Sequence, residues 1–140
     1  MITRKQICDT SRTFLDTPFH HQGRLKNVGV DCAGLVVEVT KELEIFKEEY
    51  DYQGYSKIPD GLQLLAHLRK NCKEKNINEY KQGDILLFRF SQYPQHLGIM
   101  LEDGYFIHSF MRARKVVIQT LSQDWKDYLI GVFEFPDLID

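Results

Sequence analysis

At Gly83 the spacing of apolar residues changes, and that change limits what this chain can fold into. Before Gly83 apolar residues recur at helical intervals; after it they alternate or run in short blocks of strand length. Ile7, Cys8, Ser11, Phe14 and Leu15 share one helical face, and Cys32, Leu35, Val36, Val39 and Leu43 share another. Leu62, Leu65, Leu68 and Cys72 mark a third helix over 61–76. Downstream, strands are expected near 84–90, 96–102, 105–110, 115–120 and 129–135, with turn signals at Asp103-Gly104 and around Pro94. Helices first and antiparallel strands afterwards predict an α+β domain, with N-terminal helices packed on an antiparallel sheet of about five strands. The 140 residues suit one core, and no repeat or linker divides them, so a single domain over 1–140 is expected.

Local signals place the boundaries. Thr3 and Gln6 have the spacing of a capping box, and Ile2 and Ile7 that of a hydrophobic staple. The first helix should stop before Pro18, because the residue preceding a proline avoids the α region. Residues 18–31 read as a loop, and 45–60 as irregular and tyrosine-rich. Tyr50, Tyr52, Tyr55 and Tyr93 are expected to pack their own loops, and Trp125 to anchor the last strands.

Composition narrows the function. The net charge is −2, with no Lys/Arg-dense stripe, so nucleic acid is not an expected partner. No apolar run approaches the roughly 18–20 residues that span a bilayer. The N-terminus lacks the apolar core of a signal peptide, which points to a chain that is cytoplasmic when made. Three widely spaced cysteines without C-x-x-C argue against a disulfide scaffold. Cys8 and Cys72 read as packing thiols.

Cys32 is different. In Gly29-Val30-Asp31-Cys32-Ala33-Gly34-Leu35 it stands where a loop becomes a helix. Unpaired N–H groups and the helix dipole favour an anion there, so the thiol is expected to ionise more readily. A nucleophilic cysteine needs a base, most often histidine, and a group that orients it. Of the five histidines, His67 reads as lying on an exposed helix face, and His20 and His21 lie in the loop before Cys32. His96 and His108 flank a hairpin around Glu102-Asp103-Gly104. A two-residue Asp-Gly turn would put them on opposite faces. A three-residue loop, pairing 101 with 105 and 98 with 108, would make them diagonal neighbours on one face. Such loops end in a left-handed glycine, which Gly104 supplies, so the three-residue loop is predicted. Cysteine and histidine are also zinc ligands, but none of these residues has the short spacing of structural zinc motifs; no metal or other cofactor is expected.

Four segments then carry a family resemblance. Asp31-Cys32-Ala33-Gly34-Leu35 resembles the nucleophile motif of NlpC/P60 cysteine peptidases, and Gln82-Gly83-Asp84-Ile85-Leu86-Leu87-Phe88 their Gly-Asp strand. His96-Leu97-Gly98-Ile99-Met100 resembles the strand of their catalytic histidine, and Phe106-Ile107-His108-Ser109 that of their third, polar residue. The resemblance implies a compact papain-like fold, with Cys32 as nucleophile, His96 as general base and His108 orienting His96. It implies hydrolysis of an amide in cell-wall (peptidoglycan) peptides, typically after γ-D-glutamyl, through an acyl-enzyme. Where the family often has tyrosine before the nucleophile, this chain has Phe19; Phe19, His21 and Asp31 are the candidates for lining the substrate or oxyanion site. The His21-Gln22-Gly23-Arg24 run and the long 45–80 segment resemble the phage-associated branch, implying partnership with phage-tail-like proteins and delivery to the wall in a particle. The alternatives are an amidase or acyltransferase on another substrate, and an inactive structural tail-tip component.

Overall fold

The computed structural model describes residues 2–46, 62–90 and 96–140. The tyrosines at 50, 52, 55 and 93 and the turn at Pro94 lie outside them. A short strand β1 (Ile2–Thr3) leads into α1 (Arg4–Arg12), followed by β2 (Arg24–Leu25), β3 (Gly29–Val30) and α2 (Cys32–Glu42). After α3 (Leu62–Asn71) come β4 (Lys73–Lys75), β5 (Ile85–Phe88), β6 (His96–Met100), β7 (Tyr105–Phe110) and β8 (Lys115–Thr120). The short helix α4 (Gln123–Tyr128), β9 (Leu129–Glu134) and β10 (Leu138–Ile139) complete the described elements.

The main sheet is antiparallel and six-stranded, in the order β4-β9-β5-β6-β7-β8. Its extra strand, against the five expected, is β4, which occupies sequence assigned to the tail of the third helix. Lys73-Glu74-Lys75 has no apolar residue to announce a strand, and pairing with Phe133 and its neighbours on β9 is what makes it one. The first helix also ends earlier than Pro18 requires, capped by Thr13, which leaves Leu15 42% exposed instead of on the buried face. At its other end the capping box forms as read: Gln6 N–H donates to Thr3 Oγ1 at 3.0 Å, and Thr3 N–H to Gln6 Oε1 at 2.8 Å. His67, expected on an exposed face, is half-buried.

Strand alternation sorts the core into two sides. Ile85, Leu87, Leu97, Ile99, Ile107 and Phe133 pack with Ile7 and Phe14 near α1 and with Leu35, Val36 and Val39 of α2. Leu86, Phe88, Met100, Phe106 and Val132 form a second cluster, joined by Trp125. Helix α2 is buried on nearly all sides, since Ala33, Gly34, Val37 and Thr40 are covered as well as the apolar stripe. This burial explains how a helix rich in β-branched residues is stable despite its modest intrinsic propensity.

The hairpin between β6 and β7 has the odd-length connection. Ile99 pairs with Ile107 and Met100 with Phe106, while Leu101 N–H donates to Tyr105 O at 2.8 Å. Glu102–Gly104 forms a single 3₁₀ turn, and Gly104 takes the left-handed conformation at φ 83°. His96 and His108 therefore share a face.

Candidate active site

Asp31 mounts the candidate nucleophile. Its Oδ1 accepts the Gly34 N–H at 2.8 Å, capping α2, and also the Arg24 guanidinium at 3.1 Å. Oδ2 accepts the Gln22 N–H at 2.8 Å. One buried carboxylate thus fixes both the helix start and the loop before it. Gly34 permits the closeness: a Cβ there would lie 2.2 Å from the Gly23 carbonyl oxygen. Phe19 is half-buried in the same loop, its N–H donating to Arg114 O at 2.8 Å and its backbone bridging Val30. His20 Nδ1 is 3.0 Å from the His21 carbonyl oxygen, and His21 is half-buried. Phe19 and His21 belong to this loop, and His96 and His108 to the sheet.

Cys32, the first residue of α2, meets the sheet where β6 and β7 separate. Their ladder covers only Ile99↔Ile107 and Met100↔Phe106, whereas β7 and β8 stay paired from Tyr105 to Phe110. Met100 N–H donates to Asp84 O on the β5 side, and Leu101 N–H to Tyr105 O on the β7 side. By that alternation the Leu97 N–H faces β7. The backbones of Leu97 and Ala33 lie near enough to the Cys32 sulfur to favour its thiolate. Ser109, the residue that continued pairing would set opposite Leu97, instead donates its hydroxyl to Val30 O at 2.7 Å. Helix α2 thus starts against the strand that carries His96.

His96 Nε2 lies 2.7 Å from His108 Nδ1, and His108 Nε2 lies 2.6 Å from Gln119 Oε1. Gln119 was not among the residues singled out from sequence. It sits on β8 opposite Phe106, diagonal to His108 and on the same face. The signal was the β7–β8 register, which depends on the Met111–Ala113 turn and on Arg114 taking φ 63°. Gly98 leaves the row its space, since a Cβ there would lie 3.0 Å from Phe106 Cδ2 and 3.5 Å from His108 Cβ. Phe110 stacks on the His108 ring at 4.9 Å, Phe90 flanks His96 at 5.4 Å, and Trp125 stands edge-on to His108 at 5.1 Å.

The electrostatics differ from the sequence expectation of an acidified thiol. Part of Cys32 reaches solvent, but its sulfur lies in packed surroundings, and burial with the adjacent Asp31 carboxylate pushes the thiol up to about 12. The Leu97 and Ala33 N–H groups and Arg24 act in the opposite direction without overcoming it. Burial, then the charge of His108, hold His96 well below the ordinary histidine value. Burial brings His108 down to about 4, against the Gln119 hydrogen bond. Burial thus favours the neutral forms of the thiol and of both imidazoles. Among the described residues, no three His, Cys, Asp or Glu side chains converge as a metal site would need.

Known proteins match this architecture. The chain is 29% identical over 121 residues to the probable endopeptidase YafL of Escherichia coli, covering 84% of this chain and 44% of that protein. It is 28% identical over 117 residues to the murein DD-endopeptidase MepH of the same organism, covering 81% of this chain and 39% of that protein. The chain thus spans less than half the length of these relatives. An NlpC/P60 family protein from Bacillus cereus superposes over 95% of this chain and 40% of its own, with a TM-score of 0.69 and 22% identity, which supports the fold. The sequence profile of the NlpC/P60 family matches residues 16–134, and the chain belongs to that family.

Proposed function

We propose that this domain is a cysteine peptidase hydrolysing an amide bond in peptidoglycan peptides, with Cys32 as nucleophile, His96 as general base and His108 as the group that orients His96. The reading is supported by His96 and His108 meeting at 2.7 Å on the sheet against which α2, starting at Cys32, packs. Membership of the NlpC/P60 family and likeness to a murein endopeptidase supply the substrate class.

The chemistry follows from the neutral resting pair. His96 Nε2 is engaged by His108, which leaves Nδ1 to take the thiol proton as sulfur attacks the carbonyl carbon. The Cys32 N–H, at the first turn of α2, is the candidate donor to the developing oxyanion. The imidazolium then protonates the leaving nitrogen as the C–N bond breaks, giving an amine and a thioester. Water, deprotonated by His96, attacks the thioester; the C–S bond breaks, and thiol and carboxylic acid are released. Phe19, His21 and Asp31 line the approach in this reading, with Asp31 acting through the helix start. Cleavage after γ-D-glutamyl and delivery with phage-tail-like proteins extend the proposal from the family likeness and the 21–24 run.

Purified peptidoglycan incubated with the protein tests the proposal. New amino groups and released muropeptides should appear by mass spectrometry with wild type and be absent with Cys32→Ala. Equal release by both would remove the cysteine mechanism, and no release by wild type would remove the wall-peptidase reading.

A further inference from the structure

The histidine row needs a direction. A chain of two imidazoles joined Nε2 to Nδ1 has two internally consistent proton arrangements. In one, each ring carries its proton on Nε2, and His96 Nδ1 is a free lone pair. In the other, each carries it on Nδ1, and His96 presents an N–H at the position where a base must accept. Nothing within the two rings chooses between them, because the hydrogen bond between the rings is satisfied either way.

The choice is made at the far end, 2.6 Å from His108 Nε2. We propose that Gln119 is a positioning residue that sets the direction of this relay by presenting its carbonyl oxygen, not its amide nitrogen, to His108. Accepting at Oε1 requires a proton on His108 Nε2. His108 Nδ1 is then the acceptor, His96 Nε2–H donates to it at 2.7 Å, and the lone pair is left on His96 Nδ1. Gln119 touches neither the thiol nor the base, so its effect reaches the reaction only through the proton positions on His108 and His96. Phe110 stacked on His108 and Trp125 edge-on to it leave the rings little freedom to find another partner. Gln119 is half-buried on the edge strand β8, where a changed side chain leaves the ladder intact.

The assignment rests on the peptidase reading for its consequence, but one arm of its test does not need substrate. In protein labelled with ¹⁵N-histidine, each ring nitrogen reports whether it carries a proton. Wild type at neutral pH should show His96 and His108 both protonated on Nε2. Gln119→Met, which offers no acceptor, should give mixed arrangements, and Gln119→Lys, which only donates, should move the proton of both rings to Nδ1. With peptidoglycan fragments, kcat should fall about tenfold in Gln119→Met, the scale of one hydrogen bond, with KM unchanged. It should fall roughly a hundredfold or more in Gln119→Lys, the scale of a lost general base. Folded variants that keep the wild-type nitrogen pattern would overturn the proposal, as would a Lys variant no slower than the Met variant. Should wild type cleave no wall peptide, the peptidase reading falls and the nitrogen pattern alone decides the role of Gln119.

Discussion

Arg4 Nη1 donates to Asp84 Oδ1 at 2.7 Å, with both side chains sealed from solvent. The guanidinium also reaches Asp140 at 2.8 Å, the Gln82 carbonyl at 3.0 Å and the Glu134 carboxylate. Asp84 in turn accepts from Lys75 Nζ at 2.7 Å and from the Lys81 N–H at 2.8 Å. This network ties α1, β4, β9 and the Gly-Asp strand together on the far side of the sheet order from Gln119. Removing Arg4 would leave Asp84 held by Lys75 and the Lys81 N–H, so the cost is that of lost buried hydrogen bonds, about 1–3 kcal/mol. Arg4→Met should therefore lower the unfolding free energy from urea titration by that amount, while the histidine nitrogen pattern of the folded protein stays as in wild type. A loss below about 1 kcal/mol would show that water replaces the lost pairs.

Acid should unfold the protein through its histidines. The unfolded chain binds a proton at His108 near pH 6.5, but the folded protein binds it only near about 4. Below pH 6.5 the unfolded state therefore holds more protons, so stability falls as pH falls, and the loss is complete near the folded value. The full window is worth about 3 kcal/mol for His108, with His96 adding in the same direction. Urea midpoints at pH 7 and pH 5 should differ accordingly, and the difference should shrink in His108→Gln. A pH-independent midpoint in wild type would contradict burial of the neutral rings.

A neutral thiol has a kinetic signature. With Cys32 pushed up to about 12, its labelling by iodoacetamide should climb with pH through the alkaline range. A plateau already reached below about pH 7 would indicate a thiolate–imidazolium pair instead. His96→Ala should slow labelling at neutral pH far more than His67→Ala if His96 is the base proposed for Cys32.

Asp31 contributes to that raised thiol through its charge, second only to burial. Asparagine caps a helix as well as aspartate, so Asp31→Asn should keep α2 while removing the charge. Cys32 labelling at about pH 8 should accelerate severalfold, with the thermal midpoint lowered by the lost Arg24 pair and Gln22 bond. Asp31→Ala should lose the same contacts and cost about 1–2 kcal/mol more for the lost cap. Slower labelling in Asp31→Asn would show that the carboxylate acts on the thiol by position and not by charge.

Gly34→Ala tests the closeness of the loop to the helix. A Cβ 2.2 Å from the Gly23 carbonyl cannot be absorbed by a side-chain rotation, because the atom it meets is backbone. The loop must move, at about 1–3 kcal/mol. The thermal midpoint should fall, and Cys32 labelling should become faster as the sulfur is uncovered.

The placement of the histidines was legible because it reduces to counting. Glu102-Asp103-Gly104 is one residue longer than a tight turn, and with a period of two that single residue decides which face His108 takes. The helix start at Cys32 was legible from Asp31 and the apolar stripe. Its ionisation was not, because the dipole of a first turn is a local property and burial by the opposing sheet is a tertiary one. Lys73-Glu74-Lys75 became a strand through β9 alone, and no local pattern announces that. Gln119 was hidden among the polar positions of β8, where alternation reads as a solvent-facing side until the turn at 111–114 fixes the register.

The one tryptophan of the chain stands 5.1 Å from His108 and 6.1 Å from His96. A neutral imidazole leaves indole emission largely alone, whereas an imidazolium at such range quenches it. The protein therefore carries its own optical gauge of charge on the histidine row. Intrinsic fluorescence, with no label and no substrate, dims when the histidine row takes up charge and brightens when it lets it go.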